Sequence, residues 1–166
     1  MIFVTVGTHE QQFNRLIKTI DELKINNIIK EDVIIQTGFS TYEPKACKWK
    51  KLYPYKQMLK YVEDARIVIT HGGPSSFIMP LQVGKIPIVV PRKKEYDEHV
   101  NNHQVLFCRE VEKKQKNILV VEEINDLQKI IGKYDEIVSE MTNSVESNNG
   151  SFCREFEKIV RKLLDE

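Results

Sequence analysis

The sequence predicts an α/β fold, a doubly wound sheet of parallel strands with helices on both faces. Three features predict it. Short, unbroken β-branched runs recur along the chain, the segments between several of them carry apolar residues at helical spacing, and two glycine-bearing turns directly follow strands. Ligands of such sheets bind beyond the carboxyl ends of the strands.

IFVTV (2–6) opens the chain as a strand and runs into the first turn, VGTH (6–9). Phe13, Leu16, Ile17, Ile20 and Leu23 then form the apolar stripe of an amphipathic helix. VIIQT (33–37) is the next strand. A less regular region with Trp49 leads to a helical segment at 55–64, and IVIT (67–70), IPIVV (86–90) and ILVV (118–121) supply the remaining strands. Residues 1–140 form the body in this reading. MTNSVESNNGS (141–151) is a polar linker, and 152–166 is a last amphipathic helix that either closes the core or reaches a second subunit.

A length of 166 residues suits one buried core. Lys and Arg total 25 against 24 Asp and Glu, so no overall field draws the chain to nucleic acid. MIFVTVGTH lacks the features of a secretion signal, and no apolar run nears the roughly 20 residues that cross a bilayer, so the expectation is a cytoplasmic protein. Cys47, Cys108 and Cys153 show no paired spacing and read as reduced thiols.

Chemistry concentrates in ITHGGPSSF (69–77). Gly72 and Gly73 admit a ligand close to the backbone, and Pro74 suits the first position of a helix whose N-terminus favours an anion. Ser75 and Ser76 add hydroxyl donors. His71 adds a ring N–H or, when protonated, a charge. The corner is suited to phosphate oxygens. G-x-x-x-x-G-K-[ST] and G-x-G-x-x-G are both missing, which disfavours a P-loop and a dinucleotide site. The nucleophile elbow fails because Phe77 stands where its second Gly belongs. No D-x-D triplet occurs, and His99 and His103, four apart beside Asp97 and Glu98, are too weak a pattern for a metal site; neither a metal nor a cofactor is expected.

HGGPSSFIMPLQVGKIPIVVPRKKEYDEHVNNHQ (71–104), with MIFVTVGTHEQQFNRLI and YPYKQMLKYVEDARIVITHGG, resembles the nucleotide-sugar-binding half of two-domain, Leloir-type glycosyltransferases. It is most similar to small subunits of split enzymes with a family 28 C-terminal-type domain, as in bacterial capsule and exopolysaccharide transferases and the eukaryotic dolichol-linked N-acetylglucosaminyltransferase. The resemblance implies a Rossmann-like domain, the donor-binding half of a GT-B fold. His71, Gly73 and Ser76 match the diphosphate motif, Gly84-Lys85-Ile86-Pro87 a second motif, and Asn102-His103-Gln104 a third. Met79 and Pro80 stand where relatives place the Glu that holds the ribose, and the proline should kink or shorten that helix.

The implied substrate contacts are Gly7, Thr8, His71, Gly72, Gly73, Ser75, Ser76 and Arg92 around the phosphates, with His103 and Gln104 near the sugar and Tyr55 and Met58 at the base. His9 is the local candidate for the catalytic base. The implied activity is that of an inverting hexosyltransferase using a UDP-sugar. A membrane-associated subunit would present a polyprenyl-diphosphate-linked acceptor at the inner face of the membrane. The alternative is a non-catalytic enhancer of a partner transferase. A UDP-sugar epimerase or dehydrogenase would need a nicotinamide fingerprint that is absent.

Overall fold

A computed structural model of the chain describes residues 1–141 and Glu157. The predicted linker and last helix lie outside the described residues, apart from Met141 and Glu157. Six parallel strands form one sheet: Ile2–Thr5 (β1), Val33–Gln36 (β2), Lys48–Lys50 (β3), Ile67–His71 (β4), Ile88–Val90 (β5) and Leu119–Val120 (β6). Their order is β3-β2-β1-β4-β5-β6, that of a doubly wound Rossmann-like sheet. The helices are Asn14–Ile25 (α1), Tyr55–Asp64 (α2), Pro74–Gln82 (α3), His103–Gln115 (α4), Leu127–Gly132 (α5) and Tyr134–Met141 (α6).

Alternation along the strands divides the core between the two faces. Ile2, Val4, Ile67, Ile69, Ile88 and Val90 pack with Leu16, Ile17 and Ile20 of α1 and with Leu127, Ile131 and Tyr134 of the closing helices. The intervening Phe3 and Val68 meet Val62 and Met58 of α2 and Met79 of α3, and Val89 meets Phe77 and Cys108. Each fully buried Ile or Phe contributes roughly 1.5–3 kcal/mol of transfer free energy. Burial on both faces is why these strands read as continuous apolar runs.

The sequence pattern leaves β3 and α4 unassigned. Lys48 and Lys50 flank Trp49 on β3, so this edge strand is lysine-guarded against further pairing. The motif at 84–87 also has a structural use. The Lys85 ammonium donates to the carbonyls of Val62 (2.8 Å), Ala65 (2.5 Å) and Glu63, tying the end of α2 to the connection before β5.

Candidate functional site

The chain winds away in opposite directions from β1 and β4, so the switch point lies between them. A cleft of about 390 Å³ opens there at the carboxyl ends of the strands, lined by Gly7, Thr8, His9, Met58, His71, Ser75 and Ser76. Those are sequence-predicted positions. Thr5, Gln36 and Met79 complete the wall. Gln36 donates to Thr5 Oγ1 (3.2 Å) and accepts from the Tyr53 amide (3.0 Å), which fixes the floor. As an inward-facing polar residue at a strand end, Gln36 was the available clue to this part of the wall.

The glycines prove to serve His71 first. A Cβ on Gly7 would fall 2.4 Å from His71 Nε2, and one on Gly73 would fall 2.2 Å from its Cε1. The imidazole is sandwiched between the two turns. Gly7 also has φ +74°, which disfavours any other residue. Gly72 instead admits α4, because its Cβ would meet Cys108 Sγ at 2.9 Å and Gln104 at 3.1 Å. Gly72 and Gly73 thus have a packing role in addition to the ligand approach expected of them.

Hydrogen bonding assigns the His71 tautomer. The Gly73 amide donates to Nδ1 at 3.0 Å, so Nε2 carries the proton and donates to Ser76 Oγ at 2.9 Å. The Ser76 hydroxyl proton is then left to donate into the cleft. Burial, reinforced by the Arg92 charge, pushes the His71 imidazole down to about 3, so it is neutral at physiological pH. It supplies polarity through Ser76 and no positive charge of its own.

Pro74 sits at the first position of α3 with Gly73 as its N-cap, as the sequence predicts. The Ser75 amide has no partner among the described residues and lies where the helix dipole favours an anion. Pro80 lies inside α3, two residues before its end, and the helix is only 9 residues long. Met79 lines the cleft wall.

Other sequence-predicted residues lie elsewhere. Arg92 is fully buried and donates to the carbonyls of Val6, Gln11, Gln12 and Glu98 at 2.9–3.1 Å, with Phe13 beneath it at 4.8 Å. Its guanidinium braces the loop after β1 and does not line the cleft. Gln104 is 5% exposed, and its Oε1 accepts from the Arg92 amide at 3.1 Å. Tyr55 is 64% exposed at the start of α2, outside the cleft wall. His103 opens α4 and bonds to Asn101 Oδ1 (2.5 Å), whereas His99 precedes the helix, so the two do not share one helical face. Their rings nevertheless meet edge to face with centroids 4.5 Å apart, and the His9 and His99 rings meet at a tilt with centroids 4.9 Å apart. Burial and the neighbouring His103, His9 and Arg92 lower the His99 pKa. His9 Nε2 is buried and has no partner among the described residues. No group of three or more His, Cys, Asp or Glu suited to a metal ion, and no helix long and apolar enough to cross a membrane, occurs among the described residues.

A model of the glycosyltransferase family 28 C-terminal domain matches residues 1–163. The chain is 33% identical over 121 residues to the UDP-N-acetylglucosamine transferase subunit ALG13 of Homo sapiens, covering 68% of this chain and 10% of that protein. The Mus musculus protein of the same name is 30% identical over 120 residues, covering 67% of this chain and 10% of its own length. The chain therefore spans about a tenth of the length of these curated relatives. Among solved structures, the glycosyltransferase SnogD from Streptomyces nogalater matches with a TM-score of 0.52 at 16% identity, over 87% of this chain and 39% of that one, which is a likeness of GT-B fold. With a family match across nearly its whole length, a doubly wound sheet and a cleft at the switch point, the chain belongs to glycosyltransferase family 28, of which it carries the C-terminal domain.

Proposed function

We propose that this chain binds the UDP-sugar donor of an inverting hexosyltransferase and transfers the hexose to a polyprenyl-diphosphate-linked sugar. A membrane-associated partner subunit presents that acceptor at the cytoplasmic face, in capsule or exopolysaccharide assembly. One observation carries the reading: the Ser75 and Ser76 hydroxyls, the start of α3 and His9 line one cleft of a family 28 chain. The relatives named UDP-N-acetylglucosamine transferase subunits support both the UDP donor and the need for a second chain.

In this reading the acceptor hydroxyl attacks the anomeric carbon from the face opposite the departing diphosphate, and the configuration inverts. The glycosidic C–O bond to phosphate breaks and its electron pair leaves with UDP. Negative charge grows on the phosphate oxygens in that step, so donors aimed at them are worth most in the transition state. Ser76, polarised by the Gly73–His71 relay, and the free Ser75 amide supply such donors. His9, which lines the same cleft, takes the acceptor proton. The donor is a substrate, and no separate cofactor is proposed.

Thermal unfolding with UDP and UDP-sugars tests the donor site. The midpoint should rise with the logarithm of ligand concentration, GDP should raise it less, and Ser76→Ala should weaken UDP roughly tenfold or more. An unmoved midpoint would end the donor reading. Met79 in the cleft wall favours one competitor, a non-catalytic enhancer. An enhancer would stimulate its partner's transferase equally well after Ser76→Ala, and a donor-binding subunit would not.

A further inference from the structure

A second, smaller cleft lies beyond the carboxyl end of β2. Its volume is about 260 Å³, and Phe39, Tyr42 and Trp49 form its apolar faces while Thr41, Glu43 and Lys51 supply polar groups. We propose that this aromatic cleft is a saccharide-binding subsite, distinct from the donor cleft, that holds a sugar ring of the acceptor. The assignment to the acceptor rests on the transferase reading above; the saccharide chemistry rests on the cleft itself.

Two of the rings are fixed before any ligand arrives. Trp49 Nε1 donates to the Pro44 carbonyl at 3.2 Å, and the Tyr42 hydroxyl donates to Asp21 Oδ2 at 2.9 Å. The loop carrying Thr41 and Tyr42 is clamped by Asn14, whose Oδ1 accepts from both amides at 2.9 Å and whose Nδ2 donates to Thr41 Oγ1 at 2.8 Å. Phe39, 56% exposed, supplies the open face. A pyranose has an apolar C–H face and a hydroxyl rim, so it matches aromatic faces beside an amine, a carboxylate and a hydroxyl. The volume falls below the roughly 300 Å³ at which drug-sized pockets begin, which favours one sugar ring over a nucleotide.

Position supports the same occupant. Gln36 lines the donor cleft, and only Thr37 and Gly38 separate it from Phe39. A Cβ on Gly38 would lie 2.8 Å from the Gly7 carbonyl, so this connection packs directly against the turn that forms the donor cleft. A glycan held at Trp49 would approach from the β2 side of the site.

Trp49 is the chain's sole tryptophan, so its emission reports on this cleft directly. The full chain is titrated with methyl glycosides of N-acetylglucosamine, glucose and galactose and with their β-linked disaccharides. At least one should shift or quench the emission saturably at millimolar concentration. Phe39→Ala should weaken that response roughly tenfold, the worth of one aromatic face, and Ser76→Ala should leave it unchanged. UDP should raise the thermal midpoint without changing the Trp49 emission, so the donor site and this subsite fail separately. No saturable response to any saccharide, or a response untouched by Phe39→Ala, overturns the subsite.

Discussion

At the level of single residues, charge and burial decide roles that residue type leaves open. Arg92 follows the fifth strand, as a phosphate ligand of this sheet would, yet its guanidinium is spent on carbonyls of three separate segments. Burial lowers its pKa to about 10, with Glu98 opposing, so it stays charged at neutral pH. Lysine offers a point charge and cannot reproduce the planar fork. Arg92→Lys should therefore cost about 2–4 kcal/mol in urea unfolding through unpaired buried carbonyls. The folded variant should bind UDP with near-native affinity. A selective loss of UDP affinity with unchanged stability would restore Arg92 to the phosphates.

At the level of elements, α1 acts as an anchor for the loop that leads from β2 to β3. Asp21, fully buried on α1, accepts from the Tyr42 hydroxyl and from the amides of Lys45, Ala46 and Cys47 at 2.8–3.2 Å. Burial alone would raise its pKa, but the Lys45 and Ala46 amides and the Tyr42 hydroxyl outweigh that and hold it below the usual value. Asp21→Ala should destabilise the chain by about 2–4 kcal/mol and move the Trp49 emission to the red as its wall loosens. An unchanged spectrum would show that β3 holds Trp49 without the loop. Legibility in the sequence divides along the same line. β1 and β4 read as continuous apolar runs because both of their faces are buried, α1 carries helical periodicity because it buries one regular face, and the Gly-Gly-Pro-Ser-Ser corner announces a helix start through local chemistry. β3 has only 3 residues, two of them lysines, and its pairing depends on β2, which no local pattern encodes. The burial of Arg92 and Gln104 likewise depends on contacts made 80 or more residues away and 12 residues away respectively, so residue type alone could not reveal it.

At the level of the whole molecule, the candidate site and the stability of the sheet are coupled through His71. The ring is wedged where the β1 turn, the end of β4 and the start of α3 meet, so charging it requires that junction to open. Its folded pKa of about 3 lies below the ordinary value of 6.5, so the unfolded chain takes up the proton first as pH falls. The stabilising contribution of the neutral ring is complete above the unfolded value and is progressively lost as pH drops from there toward the folded one. One unit below the unfolded value the loss from this residue is about 1.4 kcal/mol. His99, whose pKa is also lowered, acts in the same direction, so the contribution of His71 has to be isolated by difference. Urea unfolding at about pH 7.5 and about pH 5.5 should show a smaller gap for His71→Gln than for the unsubstituted chain, by about 1.4 kcal/mol. The variant should be less stable at both values, because glutamine does not fill the space between the two turns. Equal gaps in the two proteins would mean that the ring is solvated or already charged in the folded state, and Ser76 would then lose the neutral donor that leaves its hydroxyl proton free to point into the cleft.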